Sequence, residues 1–345
     1  MIESAVAAIH QTDVVVIGTG PVGLFSIFEC GMLRLKCHAF DSLDQVGGQC
    51  AALYPEKPIY DIPAHPTILG AHLAANLELQ AAPFDPIYHL KEQVHTVEAL
   101  DDHGKSWRLT GTQGTVVEAK AIIIAAGVGA FGPNRPPLKN LEEFEKTSIH
   151  YFVRMRETYR HKHIVIAGGG DSAVDWALSL SDVAARVSVV HRRDKFRAAP
   201  ETERQLKQLA ADGKIDLVIP YQLAGLTGVD GQLTAVEVES LDGHNKQLRA
   251  DYLLPFFGLS MNLGPIAEWG LGLTHNHITI DPTTAATNRP GVYAIGDIAT
   301  YPNKLKLILT GFAEAAQAAH AIRHFLYPDE VVHFEYSTTQ GVPKA

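Results

Sequence analysis

The chain has 345 residues, 46% hydrophobic and 19% charged, an ordinary globular composition with material for roughly two domains. Lysine and arginine number 29 against 38 acidic residues, a net charge of -9, which argues against a general nucleic-acid binder. Cys30, Cys37 and Cys50 are the only cysteines and form no C-x-x-C pair or zinc spacing, so a disulfide-built scaffold is excluded and a reducing, cytoplasmic setting is expected. The longest apolar run, residues 121–131, is shorter than the roughly 18 residues a membrane span needs. Residues 1–11 lack the basic-then-apolar order of a cleaved signal, and a strand-like run begins at Val14.

In chain order, Asp13-Val-Val-Val-Ile-Gly18-Thr-Gly20-Pro21-Val-Gly23 reads as a buried strand and a glycine turn. A helix over residues 24–32 and a short strand over 37–41 follow. This is the context a dinucleotide fingerprint requires. Gly18 allows the tight turn, Gly20 lets backbone amides approach a pyrophosphate at the helix start, and Gly23 lets helix and strand pack closely. Asp41, 23 residues after Gly18, is placed to accept hydrogen bonds from an adenosine ribose and to repel a 2′-phosphate. Residues 107–109 and 116–117 then read as antiparallel strands, and residues 120–127 as a separate buried strand. Pro133, Pro136 and Pro137 punctuate the chain after it.

At an offset of 150 residues the first pattern returns: His163-Ile-Val-Ile-Ala-Gly168-Gly-Gly170-Asp171-Ser172-Ala173, a helix over 174–181 and a strand over 186–190. Ala173 takes the third glycine's place, and the Asp41 position is filled by His191, with Arg192, Arg193 and Arg197 after it. Guanidinium groups bind a phosphate dianion in bidentate fashion, so this turn suits NADPH. An alternating stretch over 233–241 and a buried one over 251–258 lead back toward the first domain. Near the end, Ala294-Ile-Gly296-Asp297 is a short strand suited to present Asp297 to flavin ribityl hydroxyls, and an alanine-rich helix begins at Thr310-Gly311. Its N-terminus would favour negative charge on a reduced flavin.

These motifs predict an α/β protein of two Rossmann-like dinucleotide-binding domains, each a three-layer ββα arrangement, the second inserted into the first. Residues 1–129 and 257–327 would bind FAD, and 130–256 would bind NADPH.

The motif order resembles the flavoproteins typified by thioredoxin reductase, but the matching segment Ser148-Ile-His-Tyr-Phe-Val153 carries no redox cysteine pair. With Gly47-Gly48-Gln49-Cys50-Ala-Ala-Leu-Tyr54-Pro55-Glu56-Lys57 and Asp297-Ile-Ala-Thr-Tyr-Pro302, the chain is closely similar to thioredoxin-reductase-like ferredoxin/flavodoxin-NADP+ reductases. That resemblance implies a homodimer, FAD and NADPH as cofactors, and hydride passing from nicotinamide C4 to flavin N5 before one-electron steps to ferredoxin or flavodoxin. It implies that residues 328–345 form an extension covering the flavin, and it places Tyr54 on one flavin face and Tyr336 of the partner subunit on the other. Gly48, Gln49, Phe131 and Thr338 join the flavin site, with Asp61 in the loop beyond. No catalytic acid, base or nucleophile is needed, because the cofactors supply the chemistry. No metal site is read: His320 and His324 have no third ligand in the pattern. Lys304 and Lys306 are candidates for receiving an acidic partner, against the plainer reading of two solvated lysines. An NAD(P)H oxidase or flavin monooxygenase-like enzyme is the first alternative, although the F-x-G-x-x-x-H-x-x-x-W-P string is missing. A non-catalytic flavin-binding sensor is the second.

Overall fold

The computed structural model describes residues 9–330 apart from Lys146, together with Gly341; the side chains of residues 130, 131 and 259–261 are outside the description. The chain forms two compact units, Met1–Phe131 with Met261–Ala345, and Gly132–Ser260.

The split unit is built on a seven-stranded sheet. Strands Ile87–His89, Cys37–Phe40, Ile9–Ile17, Val116–Ile124 and Val292–Ala294 run parallel. Trp107–Gly111 and Val94–Ala99 continue the sheet as an antiparallel hairpin. Val14, Val15, Val16, Ile122, Ile123 and Ile124 are fully buried, as expected of central parallel strands covered on both faces. The two strands expected over residues 116–117 and 120–127 are one nine-residue strand, Val116–Ile124. Its first half pairs with Trp107–Gly111 and its second half with Val292–Ala294, so a change of neighbour, not a break in the chain, produced the change in pattern. Helices Pro21–Met32 and Ile308–Leu326 pack on the sheet, and Gly70–Ala81 packs against the first of them. The first begins with Pro21, whose fixed φ and missing N–H suit a first helical position.

The continuous unit carries a four-stranded parallel sheet in the order Ile215–Val218, Arg186–Val190, His163–Ala167, Tyr252–Pro255. An antiparallel sheet of Tyr221–Val229, Gln232–Ser240 and Asn245–Arg249 packs on it, with Val236 and Val238 sharing a core with Val165 and Val190. Helix Asp171–Leu180 follows the second glycine turn and buries Ala173, Val174, Trp176, Ala177 and Leu180. Among the described residues no helix is long and apolar enough to cross a membrane.

Candidate functional site

The two glycine turns differ in how tightly they are built. Gly18 has φ +101°, and a Cβ there would lie 2.4 Å from the Ala125 carbonyl oxygen, so only glycine fits. A Cβ on Gly23 would come within 1.9 Å of the Gly18 carbonyl oxygen, which is the close helix-strand approach the spacing predicts. Gly20 is different. Its φ is −66°, and a Cβ would meet nothing nearer than Gly48 Cα at 3.9 Å, so the space above the turn is open. Helix Pro21–Met32 starts here without a side-chain cap or an acidic residue in its first turn, leaving its positive end to face that space.

Asp41 is buried and tied to this turn. Its Oδ2 accepts from the Thr19 amide and hydroxyl, both at 2.7 Å, and Oδ1 accepts from the Leu43 amide at 2.9 Å. A carboxylate offers about four acceptor sites, so roughly one, on Oδ1, is left for a ligand.

A cleft open to solvent lies beside the turn. Gly18, Gly20, Pro21, Asp41, Gly48, Gln49, Tyr54 and Asp297 all line it. Asp61 is exposed and does not. The Phe131 side chain, Tyr336 and Thr338 lie outside the described residues. The cleft also takes Glu92, Gln93, Val94, Leu263, Ile266 and Trp269, none of them expected from the sequence. They come from the sheet edge and from a segment 170 residues later, and the Asp41 carbonyl accepting the Glu92 amide at 2.9 Å ties the first of them to the turn. Trp269 is 8% exposed, and its indole N–H has no partner among the described residues.

Cys50 Sγ lies 3.9 Å from the Tyr54 hydroxyl, and the Asp297 carboxylate is near enough to act on both. Burial first, then the Cys50 thiol and the Asp297 carboxylate, hold the Tyr54 phenol far above its ordinary range. Burial likewise pushes the Cys50 thiol up to about 11. A thiol this protonated at neutral pH is a poor nucleophile, which counts against cysteine redox chemistry here.

Lys304, expected as an exposed docking residue, is buried: its Nζ lies 2.6 Å from Glu314 Oε1, and the two side chains are 4% and 3% exposed. Its pairing with Glu314, ten residues further on, was not visible in a string that reads Asn303-Lys304-Leu305-Lys306. Lys306 is exposed and donates to His277 Nε2 at 2.7 Å. The last helix begins at Ile308, two residues before the expected Thr310, and Leu307 and Ile308 line the cleft.

In the continuous unit, Gly168 has φ +151°, and a Cβ there would meet the Phe256 carbonyl oxygen at 2.7 Å and Ala173 Cβ at 3.1 Å. Above Gly170 nothing lies within 4 Å of a built Cβ. Asp171 and Ser172 are exposed at the helix start, and Asp171 Oδ1 accepts from the Ala199 amide at 2.9 Å. His191 does not face solvent with its neighbours. Its ring is stacked on Phe196 at 5.0 Å and lies where a Cβ on Gly169 would be, 2.2 Å from the ring. Burial lowers its pKa, against an opposing pull from the Lys195 carbonyl, and the cations of Arg192, Arg197 and Arg193 add smaller lowering contributions. The neutral ring thus props the turn, and the exposed cations are Arg192, Arg193 and Arg197.

Two glycine turns of this kind, on a parallel sheet each, define a two-dinucleotide α/β oxidoreductase fold. Residues 12–322 match the pyridine nucleotide-disulphide oxidoreductase family. The ferredoxin–NADP reductase of Paramagnetospirillum magneticum is 61% identical over 97% of this chain and 99% of its own length. That of Rhodospirillum rubrum is 61% identical over 96% of this chain and 97% of its own. Among solved structures, Lactococcus lactis thioredoxin reductase has a TM-score of 0.79 at 24% identity, covering 92% of this chain and 99% of that one. The T. acidophilum thioredoxin reductase has a TM-score of 0.79 at 20% identity, covering 91% and 98%. The chain therefore belongs to the pyridine nucleotide-disulphide oxidoreductase family and, within it, to the ferredoxin–NADP reductases.

Proposed function

We propose that this chain moves electrons between NADPH and ferredoxin or flavodoxin through FAD. One observation carries the reading: the same strand-turn-helix unit occurs twice, once closed by a buried carboxylate, Asp41, and once flanked by exposed guanidinium groups, Arg192 and Arg193. The open space over Gly20, the uncapped helix start and the unpartnered Trp269 indole fit a bound dinucleotide in the cleft.

FAD, when bound, takes two electrons as a hydride from NADPH and gives them up singly, which is the chemistry the protein itself lacks. The protein's residues bind and orient. Gly18, Gly20, Pro21 and Gly23 shape the pyrophosphate site, and Asp41 Oδ1 holds the adenosine ribose. Gln49, Tyr54 and Phe131 flank the flavin, and Asp297 meets its ribityl chain. Gly168, Gly170, Asp171, Ser172 and Ala173 shape the second pyrophosphate site, with Arg192, Arg193 and Arg197 on the 2′-phosphate and His191 behind the turn. Tyr54, neutral and partly buried, offers a face for stacking.

The family resemblance supports a homodimer in which the partner subunit lends Tyr336, with Thr338 joining the flavin site. The three cysteines, all buried and unpaired, support the cytoplasm. Anaerobic mixing with NADPH should bleach a bound flavin band and reduce an added ferredoxin. A purified protein without flavin absorbance, or with a flavin that NADPH leaves unchanged, would contradict the reading.

A further inference from the structure

Among the described residues, Lys304–Glu314 is the most thoroughly buried ion pair of the split unit. Lys304 Nζ lies 2.6 and 2.8 Å from the two Glu314 carboxylate oxygens. A buried pair is weak evidence for stability, because desolvating two charges offsets much of their attraction. What these two groups hold is more telling. The Gly296 amide donates to Glu314 Oε2 at 2.7 Å, and the Gly296 carbonyl accepts from Lys304 Nζ at 2.7 Å. The anion and the cation thus grip one residue by its N–H and its C=O. Tyr301 donates to Glu314 Oε1 at 2.9 Å, and its ring lies 5.2 Å from Lys304 Nζ.

The gripped residue is at the cleft. Gly296 has φ +73°, and Gly296 and Asp297 both line the pocket. Glu314 lies in helix Ile308–Leu326, whose first residue also lines it. The helix presses on the same turn: a Cβ on Gly311 would lie 2.4 Å from Val22 Cγ2 and 3.3 Å from Gly296 Cα.

We infer that Lys304 and Glu314 are positioning residues that lock the Asp297 turn to the start of the last helix and, neutral only as a pair, balance the charge beside the flavin. The second half of this rests on the FAD reading above. Removing one member leaves the other's charge unbalanced next to the electron-accepting group. A lone cation stabilises the electron-rich reduced form, and a lone anion destabilises it.

Two arms test the inference. In the first, Glu314→Gln, Lys304→Met and the double variant are purified with FAD and titrated for midpoint potential. Each is compared with wild type at one common pH. The expected result is a higher potential for Glu314→Gln, a lower one for Lys304→Met, and a return toward wild type in the double variant. Loss of FAD from both single variants with recovery in the double variant supports the same account. Shifts of one sign, unchanged potentials, or loss of FAD from the double variant as well would overturn it. A general loosening of the fold gives no opposite signs. The second arm uses FAD-free protein and reads hydrogen exchange at the Gly296 amide. Glu314→Leu should speed it at least about tenfold while amides of strand Ile9–Ile17 keep their protection, and an unchanged rate would overturn the clamp. Wild-type protein that takes up no FAD refutes the cofactor reading alone, because the exchange arm still decides the clamp.

Discussion

The first glycine turn closes on a carboxylate that it binds itself; the second closes on a ring that props it from below and leaves the charges outside. Asp41 spends three acceptor positions on Thr19 and Leu43, so at that turn the proposed ligand-selecting group and the structural group are the same residue. At the other turn the tasks are divided: His191 supports Gly169, and Arg192 and Arg193 stand free of that duty. The difference teaches which changes should harm the fold and which should alter only ligand choice.

The largest expected effect lies at the third position of each turn. Gly23→Ala places a methyl 1.9 Å from a backbone oxygen and should cost about 3 kcal/mol or more, with loss of FAD. The reverse change in the other unit, Ala173→Gly, removes a buried methyl and adds helix entropy, for about 1–2 kcal/mol. Urea unfolding of both variants checks this, and equal costs would erase the contrast. Next, Asp41→Ala leaves the Thr19 and Leu43 donors without their acceptor and should weaken FAD binding at least about tenfold while lowering stability by about 2 kcal/mol. Replacing Arg192 and Arg193 by alanine should instead spare stability to within about 0.5 kcal/mol and cut the preference for NADPH over NADH about a hundredfold. A kcat/KM ratio unchanged by the double replacement would remove these residues from the site.

Both turns were visible in the sequence because each is a local device. Glycine spacing, the flanking strand and the residue 23 places on all lie within one short stretch. Thr19 as the partner of Asp41 was not, since nothing in a threonine between two glycines says where its hydroxyl points. Glu92, Gln93, Val94 and Trp269 were hidden for a different reason: they reach the cleft through the pairing of Ile87–His89 with Cys37–Phe40 and through the return of the chain after residue 260. Lys304 was misread because burial of a charge depends on a partner ten residues away on another element. His191 was placed in the right register, but whether its ring faced a ligand or Phe196 was decided by packing alone.

The smallest effect concerns pH. In the split unit His38 Nδ1 and His89 Nε2 are 3.0 Å apart, which requires one donor and one acceptor. Burial, then the neighbouring His89 and His10, lower His38 from its ordinary 6.5 to about 4. The unfolded chain therefore binds a proton between those values that the folded chain refuses, so the contribution is complete above pH 6.5 and is lost as the pH falls toward 4. Because Asp41 donates its amide to the His89 carbonyl at 3.0 Å, FAD should be released over the same window. His38→Gln, which keeps a hydrogen-bonding side chain without the titration, should flatten that part of the stability profile by about 1–2 kcal/mol. A profile that stays equally steep would assign the acid loss elsewhere.

The central claim is that a chain without a redox cysteine pair uses two unlike dinucleotide sites to connect NADPH to a one-electron carrier. Anaerobic stopped-flow mixing of the FAD-loaded protein with NADPH or NADH, with ferredoxin present, tests it most directly. The account predicts rapid flavin bleaching by NADPH, bleaching about a hundredfold less efficient with NADH at limiting concentration, and ferredoxin reduced in step with flavin reoxidation. Equal reduction by both nucleotides, or a reduced flavin that leaves ferredoxin oxidised, would contradict it.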